Sequence, residues 1–261
     1  MLVTTQLEGG IATVCLNRPE KKNAMSLDLL DELLAAALAL RDTPGLRAVI
    51  LTGAGNVFSA GIDVSMMMTM AGRLDELKAK LSHADASGAN AFQSPVTSWA
   101  ALPVPVIAAV EGLCFGAGMQ LALGADFRIV APDTRMSIME AKWGLIPDMG
   151  ITQSLPKLMR ADQAKMLMMT GTEVTGAEAV GMGLATEISD TPLNRARDLA
   201  AAFSTKSPEA LAGSKRLVEE AWGGGEEALR LEAILQAALM GSSNQMEAVM
   251  ANMQKRPPKF G

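Results

Sequence analysis

PVIAAVEGLCFGAGMQLALGADFRIVAPDT, residues 105–134, decides how this chain is read. Val106–Val110 is an unbroken apolar run of strand length, the kind buried on both faces of a sheet. It leads into a small-residue loop, Gly112-Leu113-Cys114-Phe115-Gly116-Ala117-Gly118, and then a helix from about Met119. Phe127–Val130 is the next strand. A buried strand, a small-residue loop, a helix and another buried strand make a unit of an α/β protein. Residues 46–63 repeat the design. Leu46–Thr52 is a buried strand, Gly53–Asp63 is a glycine- and serine-bearing loop, and the chain reads as helical from Val64.

Towards the N-terminus, Leu2–Leu7 and Ile11–Leu16 read as strands joined by a hairpin at Gly9-Gly10. Asn17-Arg18-Pro19 breaks the run, and Ser26 caps a helix whose Leu27, Leu30, Leu33, Leu34 and Ala37 recur at helical spacing up to Arg41. Pro103 and Pro105 end a helix ahead of Val106. Met136–Met139 and Leu184–Ile188 are the remaining strands. From Thr191 to Gln254 the pattern is helical, broken at Ser207-Pro208, Gly223–Gly225 and Gly241–Ser243. The expected division is an α/β core over 1–195 and a helical region over 196–261. The apolar, methionine-bearing stretch 228–253 needs burial, either on its own core or on a neighbouring subunit.

Composition excludes several functions. A net charge of −5 and a pI near 5.1 leave no basic excess for nucleic acid, although a local basic patch remains possible for an anionic cofactor. A single histidine, His83, removes histidine triads and histidine-rich metal sites, and its polar surroundings place it on the surface. Cys15 and Cys114 read as buried thiols of a reducing compartment. Neither a signal peptide nor a membrane span is evident, so a soluble, cytoplasmic protein is expected.

Chemistry concentrates in three segments. Phe58-Ser59-Ala60-Gly61-Ile62-Asp63 and Gly116-Ala117-Gly118-Met119-Gln120 each run from a buried strand into a helix. The first backbone N–H groups of a helix lack partners and favour negative charge. One N–H from each loop makes an oxyanion hole; the plainer alternative for each glycine is a tight turn. Neither segment matches a dinucleotide or phosphate-loop fingerprint. The third segment, Met139-Glu140-Ala141-Lys142-Trp143-Gly144-Leu145-Ile146-Pro147-Asp148-Met149-Gly150, supplies carboxylates among apolar neighbours, where pKa values rise towards those useful for proton transfer. Alternatively, Glu140 caps a helix and pairs with Lys142 or Arg135, and Asp148 makes a turn. Methionines 66–68 and 70 line an acyl pocket or fill the core, and Trp143 walls the acyl site or packs inside.

Taken in order, LNRPEKKNAMS (16–26), AVILTGAGNVFSAGID (48–63), residues 105–134 and QKRPPKFG (254–261) resemble the crotonase superfamily, the enoyl-CoA hydratase/isomerase family. The resemblance covers the whole chain. It implies a spiral of β-β-α repeats with a helical C-terminal region that assembles a homotrimer or homohexamer. It also implies an acyl-CoA substrate, with coenzyme A as part of the thioester and no tightly bound cofactor or metal. The oxyanion donors are then the N–H groups of Ile62 and Ala117, where an alanine replaces the usual glycine and its methyl narrows the pocket. Ala60, Gly61, Asp63 and Gly116 border the substrate. Lys21 and Lys22 lie towards the CoA phosphates, and Lys255 or Lys259 reaches a neighbour's CoA.

Departures from the pattern bear on the reaction. Hydratases of the group use two glutamates; here the first is Gln120 and the second is Glu140. Dienoyl-CoA isomerases carry an aspartate where Asp148 stands, but also one at the position of Gln120. An amide positions water but carries no proton at neutral pH. The expectation is therefore double-bond migration in an enoyl- or dienoyl-CoA, with Glu140 and Asp148 moving protons. Hydration of a 2-enoyl-CoA, with Gln120 holding water, is the first alternative. A non-catalytic CoA- or RNA-binding trimeric scaffold is the alternative from another class.

Overall fold

The computed structural model describes residues 1–66 and 73–261. Strands β1 (Val3–Glu8) and β2 (Ile11–Leu16) form the expected antiparallel hairpin, with Gly9 and Gly10 at φ of 57° and 81°. Ser26 caps α1 (Leu27–Arg41) by accepting from Leu29 N, and Leu29, Leu30, Leu33, Ala37 and Leu40 form its buried face. β3 (Ala48–Gly53), β4 (Val106–Val110), β6 (Phe127–Val130) and β9 (Glu187–Ile188) then add in parallel, giving the order β1-β2-β3-β4-β6-β9.

A second, three-stranded sheet joins β5 (Leu113–Phe115), β7 (Arg135–Ser137) and β8 (Val174–Thr175). Single parallel bridges extend this layer, Met25 to Ile62 and Ser59 to Cys114. After β2, β3, β4 and β6 the chain therefore crosses once through the second layer. From β2 it passes Met25 to α1, and from β3 it passes Ser59 and Ile62 to the helix that begins at Val64. From β4 it passes β5 to α4 (Ala117–Leu123). These are the turns of the expected β-β-α spiral. Between the second and third turns lie α2 (Leu74–Ser82) and α3 (Ser94–Ala100).

Alternation along β3 and β4 explains why both read as continuous apolar runs. Val49, Leu51, Val106, Ala108 and Val110 join the main core with α1, α3 and α4. Ala48, Ile50, Ile107 and Ala109 face the other way and pack on Ala196 and Ala200 of α8 (Pro192–Ser204). Strands covered on both faces need no polar alternation. α8 runs through the expected boundary at 195/196 and closes the sheet.

The third-turn segments α5 (Ile151–Leu158), α6 (Ala161–Thr170) and α7 (Gly176–Met182) follow β7 and flank β8. Beyond α8 come α9 (Pro208–Ala221), α10 (Glu226–Leu239) and α11 (Ser243–Met253), separated at the expected breaks. Lys215 anchors α9 to the core through a 2.8 Å ion pair with Asp126 and a bond to Val104 O. α10 and α11 behave differently. Leu229, Ile234, Met246, Val249, Met250 and Met253 are all exposed, so this chain alone does not bury stretch 228–253. No helix among the described residues is long and apolar enough to cross a membrane. His83 is exposed; both cysteines are free, Cys114 buried and Cys15 half-buried rather than buried.

Candidate active site

Both small-residue loops follow strands of the large sheet at the same end, and the first is held by the segment between β2 and α1. Asn23, fully buried at φ 54°, donates to Ala54 O (2.9 Å) and Val57 O (2.6 Å) and accepts from Arg18 N (2.9 Å). Asparagine tolerates this left-handed backbone better than most residues. Ser59 Oγ donates to Asn23 O and accepts from Gly61 N. Ala60 N donates to Lys22 O, Met25 N to Gly61 O and Asp63 N to Met25 O. Among the described residues, the N–H of Ile62 has no acceptor.

The second loop lies against the first: Ser59 N donates to Leu113 O, and Phe115 N to Ser59 O. Gly61 is what lets them close. At φ 93°, a Cβ there would stand 2.8 Å from Phe115 O and 3.8 Å from Ala117 N. Gly116 turns the chain at φ 50°, ψ −118°, and α4 starts at Ala117, two residues earlier than expected. As the first helical residue, Ala117 has no intrahelical acceptor for its N–H. Two unpaired N–H groups, Ile62 and Ala117, thus sit on adjoining loops. The Ala117 side chain is buried and belongs to the main core cluster.

The acids come from the third segment. Glu140 opens a short 3-10 turn, Glu140–Trp143, that Gly144 ends in the left-handed region. Its Oε1 accepts from Gln120 Nε2 at 2.7 Å, while Oε2 is buried and has no partner among the described residues. Burial pushes the Glu140 pKa up, the charge of Asp148 adds to this, and the Gln120 amide opposes it. A Cβ on Gly116 would lie 3.4 Å from Glu140 Oε1, so this acid rests against the second loop. Asp148 is exposed as a residue, yet desolvation of its carboxyl also raises its pKa.

Gln120 joins the pieces. Its side chain is 2% exposed, and its Oε1 accepts from Met149 N at 2.7 Å, so one amide ties α4 to both ends of the acid segment. The alternative partners of Glu140 are engaged elsewhere: Arg135 pairs with Glu173, and Lys142 lies over the Trp143 ring. Trp143, Leu145 and Ile146 are exposed, an apolar rim between the two acids.

Other expected site residues fall into different places. Asp63 is structural: it accepts from Ser65 and from Arg18 Nη1 (2.6 Å), and these bonds hold its pKa down to about 2. Lys21 and Lys22 are exposed beside the first loop, where the Lys22 carbonyl supports Ala60. Lys255 and Lys259 are not brought to this site within the chain. Phe260 lies under Arg47, just ahead of β3, whereas the loops follow the far ends of β3 and β4. Met66 is half-buried; Met67, Met68 and Met70 lie outside the described residues. A cleft of about 1250 Å³ between α1, α3, α5 and α9 contains none of these groups.

Sequence reasoning passed over Arg18, Asn23 and Ser59, which shape the first loop without touching its opening. Their signal was a run of polar residues, Asn17-Arg18 and Lys22-Asn23, between a buried strand and a capped helix.

The sequence pattern described as enoyl-CoA hydratase/isomerase matches residues 6–261. A Mycobacterium tuberculosis protein named "Probable enoyl-CoA hydratase echA6" is 34% identical, the match covering 100% of this chain and 99% of that protein. The peroxisomal Delta(3,5)-Delta(2,4)-dienoyl-CoA isomerase of Arabidopsis thaliana is 30% identical over 99% of this chain and 95% of its own length. The crystal structure of an enoyl-CoA hydratase from Bacillus anthracis superposes with a TM-score of 0.90 at 27% identity, covering 100% of this chain and 99% of that one. With the spiral, its paired loops and its acid segment all matched end to end, this chain belongs to the enoyl-CoA hydratase/isomerase family of acyl-CoA-processing enzymes.

Proposed function

We propose that the enzyme moves a double bond along the acyl chain of an enoyl- or dienoyl-CoA. The observation that carries this reading is position 120. There a neutral amide, with both ends already bonded, leaves Glu140 Oε2 as the buried acid oxygen without a partner. The thioester oxygen accepts from the N–H groups of Ile62 and Ala117. Glu140 Oε2 takes a proton from carbon, and the electrons of that C–H bond move into a dienolate whose charge the two donors stabilise. Glu140, or Asp148, returns a proton further along the chain, and the electrons flow back from the enolate oxygen. No water is consumed.

Coenzyme A enters as part of the substrate, with no tightly bound cofactor. Its phosphates lie towards Lys21 and Lys22, and Ala60, Gly61 and Gly116 border the thioester. Trp143 forms part of the acyl wall. The cytoplasm is the proposed location. The exposed apolar side chains of α10 and α11 support assembly into a trimer or hexamer, in which Lys255 or Lys259 reaches a neighbour's CoA. Sedimentation at micromolar concentration tests the assembly, and a soluble monomer overturns it.

Hydration of a 2-enoyl-CoA is the second reading, favoured by the names of the Mycobacterium tuberculosis relative and the Bacillus anthracis structure. Glu140 and Asp148 then share the proton work. Running both reactions side by side decides between them, with conjugated absorbance lost on hydration and gained or shifted on isomerisation. Isomerisation of a 3-enoyl- or dienoyl-CoA is expected to exceed hydration of crotonyl-CoA in kcat/KM. Hydration at ~10⁴ M⁻¹s⁻¹ or above without isomerisation overturns the proposal.

A further inference from the structure

We infer that Gln120 is a positioning residue: it holds Glu140 Oε1 so that Oε2 alone exchanges protons, and it fixes the segment bearing Asp148 relative to that atom. The inference deepens the proposed reaction and rests on its enolate chemistry.

A carboxylate offers two equivalent oxygens and turns freely about its last bond unless something selects one. Here a 2.7 Å bond from Gln120 Nε2 selects Oε1. The other oxygen, Oε2, is buried without a partner, a costly state for an acceptor and a useful one for a base. Gln120 stands three residues after Ala117 on the same short helix, so the amide that orients the base and the N–H that faces the first loop move as one body. Its other end accepts from Met149 N, next in sequence to Asp148. The relative placement of enolate donor, base and second acid therefore passes through one side chain.

An amide also does this without titrating. Its N–H favours the ionised form of Glu140, whereas a carboxylic acid at 120 would share a proton with it. Among the described residues, the charge of Asp148 adds to the rise at Glu140, and α6, which packs against its turn, carries Asp162, paired with Arg160, and Lys165. Lys142, on the turn itself, lies over Trp143.

The test uses the full-length enzyme and a 3-enoyl-CoA in deuterium oxide. Exchange of the α-proton, followed by proton NMR, reads proton transfer whichever product forms. Gln120→Met fills the volume without an amide. Gln120→Glu keeps an acceptor for Met149 N and, when protonated, a donor to Glu140. Gln120→Met is expected to lower kcat for exchange ~10–100-fold, the loss of one hydrogen bond to a charged group, with KM little changed. Glu140 works ionised, and losing the amide raises its pKa. The acid limb of the pH profile therefore moves to higher pH in this variant. Gln120→Glu should recover most of kcat on the plateau while keeping a raised acid limb. Exchange in wild type that Gln120→Met matches, at an unmoved limb, overturns this inference alone. So does a kcat loss in both variants with raised KM and an unmoved limb, the mark of a merely structural side chain. Absence of both exchange and isomerisation in wild type overturns the enolate reading, and the inference with it; where isomerisation proceeds without exchange, the same comparisons are read on kcat for isomerisation.

Discussion

The loop that ends at Asp63 and the turn that begins at Glu140 handle their carboxylates in opposite ways. Asp63 has both oxygens bonded, to Ser65 and to Arg18, and its pKa falls to about 2. Glu140 has one oxygen bonded and one buried without a partner, and its pKa rises. Both lie close to the same pair of unpaired N–H groups. The difference shows how the site divides its labour. One acid is ionised for good and serves as a strut that holds backbone donors in place. The other is held by burial with a raised pKa, so its proton is given up less readily than that of an exposed carboxyl.

The largest effect comes from breaking the contrast at Glu140. Glu140→Gln removes the proton carrier, and turnover on the true substrate is expected to fall ~100-fold or more, with CoA-ester binding largely intact. Steady-state kinetics beside a binding titration check it; near-normal turnover would falsify the assignment. A smaller effect, on stability rather than chemistry, is expected at Asp63. Asp63→Asn loses the charged partner of Arg18, at a cost of roughly 1–2 kcal/mol at neutral pH. Because the folded-state pKa of Asp63 lies below the ordinary 3.8, at about 2, its contribution is present above pH ~4 and lost as pH falls towards ~2. The gap between wild type and variant in urea midpoint should therefore close over that window. A gap that is unchanged at pH ~2.5 would show that the pair does not carry the difference.

These contrasts mark where sequence stopped being informative. Local signals sufficed for the elements: the Ser26 cap, the hairpin glycines and the strands β3 and β4, each set by neighbours a few residues away. The course of the two loops was legible for the same reason, since a buried strand followed by small residues constrains its own backbone. What escaped are bonds between distant residues. Gln120 reads as a missing acid, and nothing local reveals that its amide reaches Glu140 and Met149, 20 and 29 residues on. Asp63 sits in the loop motif, and nothing local reveals that its partner Arg18 lies 45 residues earlier.

The position of α8 in the chain has a consequence for synthesis. The second face of the large sheet, with Ala48, Ile50, Ile107, Ala109 and Ile129, is closed by residues that lie some sixty positions after the last of those side chains. A polypeptide emerging from the ribosome has all three strands of that face available long before Pro192–Ser204 exists to shield them. Until that helix arrives, the growing chain carries an apolar surface that is attractive to other nascent chains and to chaperones. A messenger cut short anywhere before codon 192 yields a product with that surface permanently open.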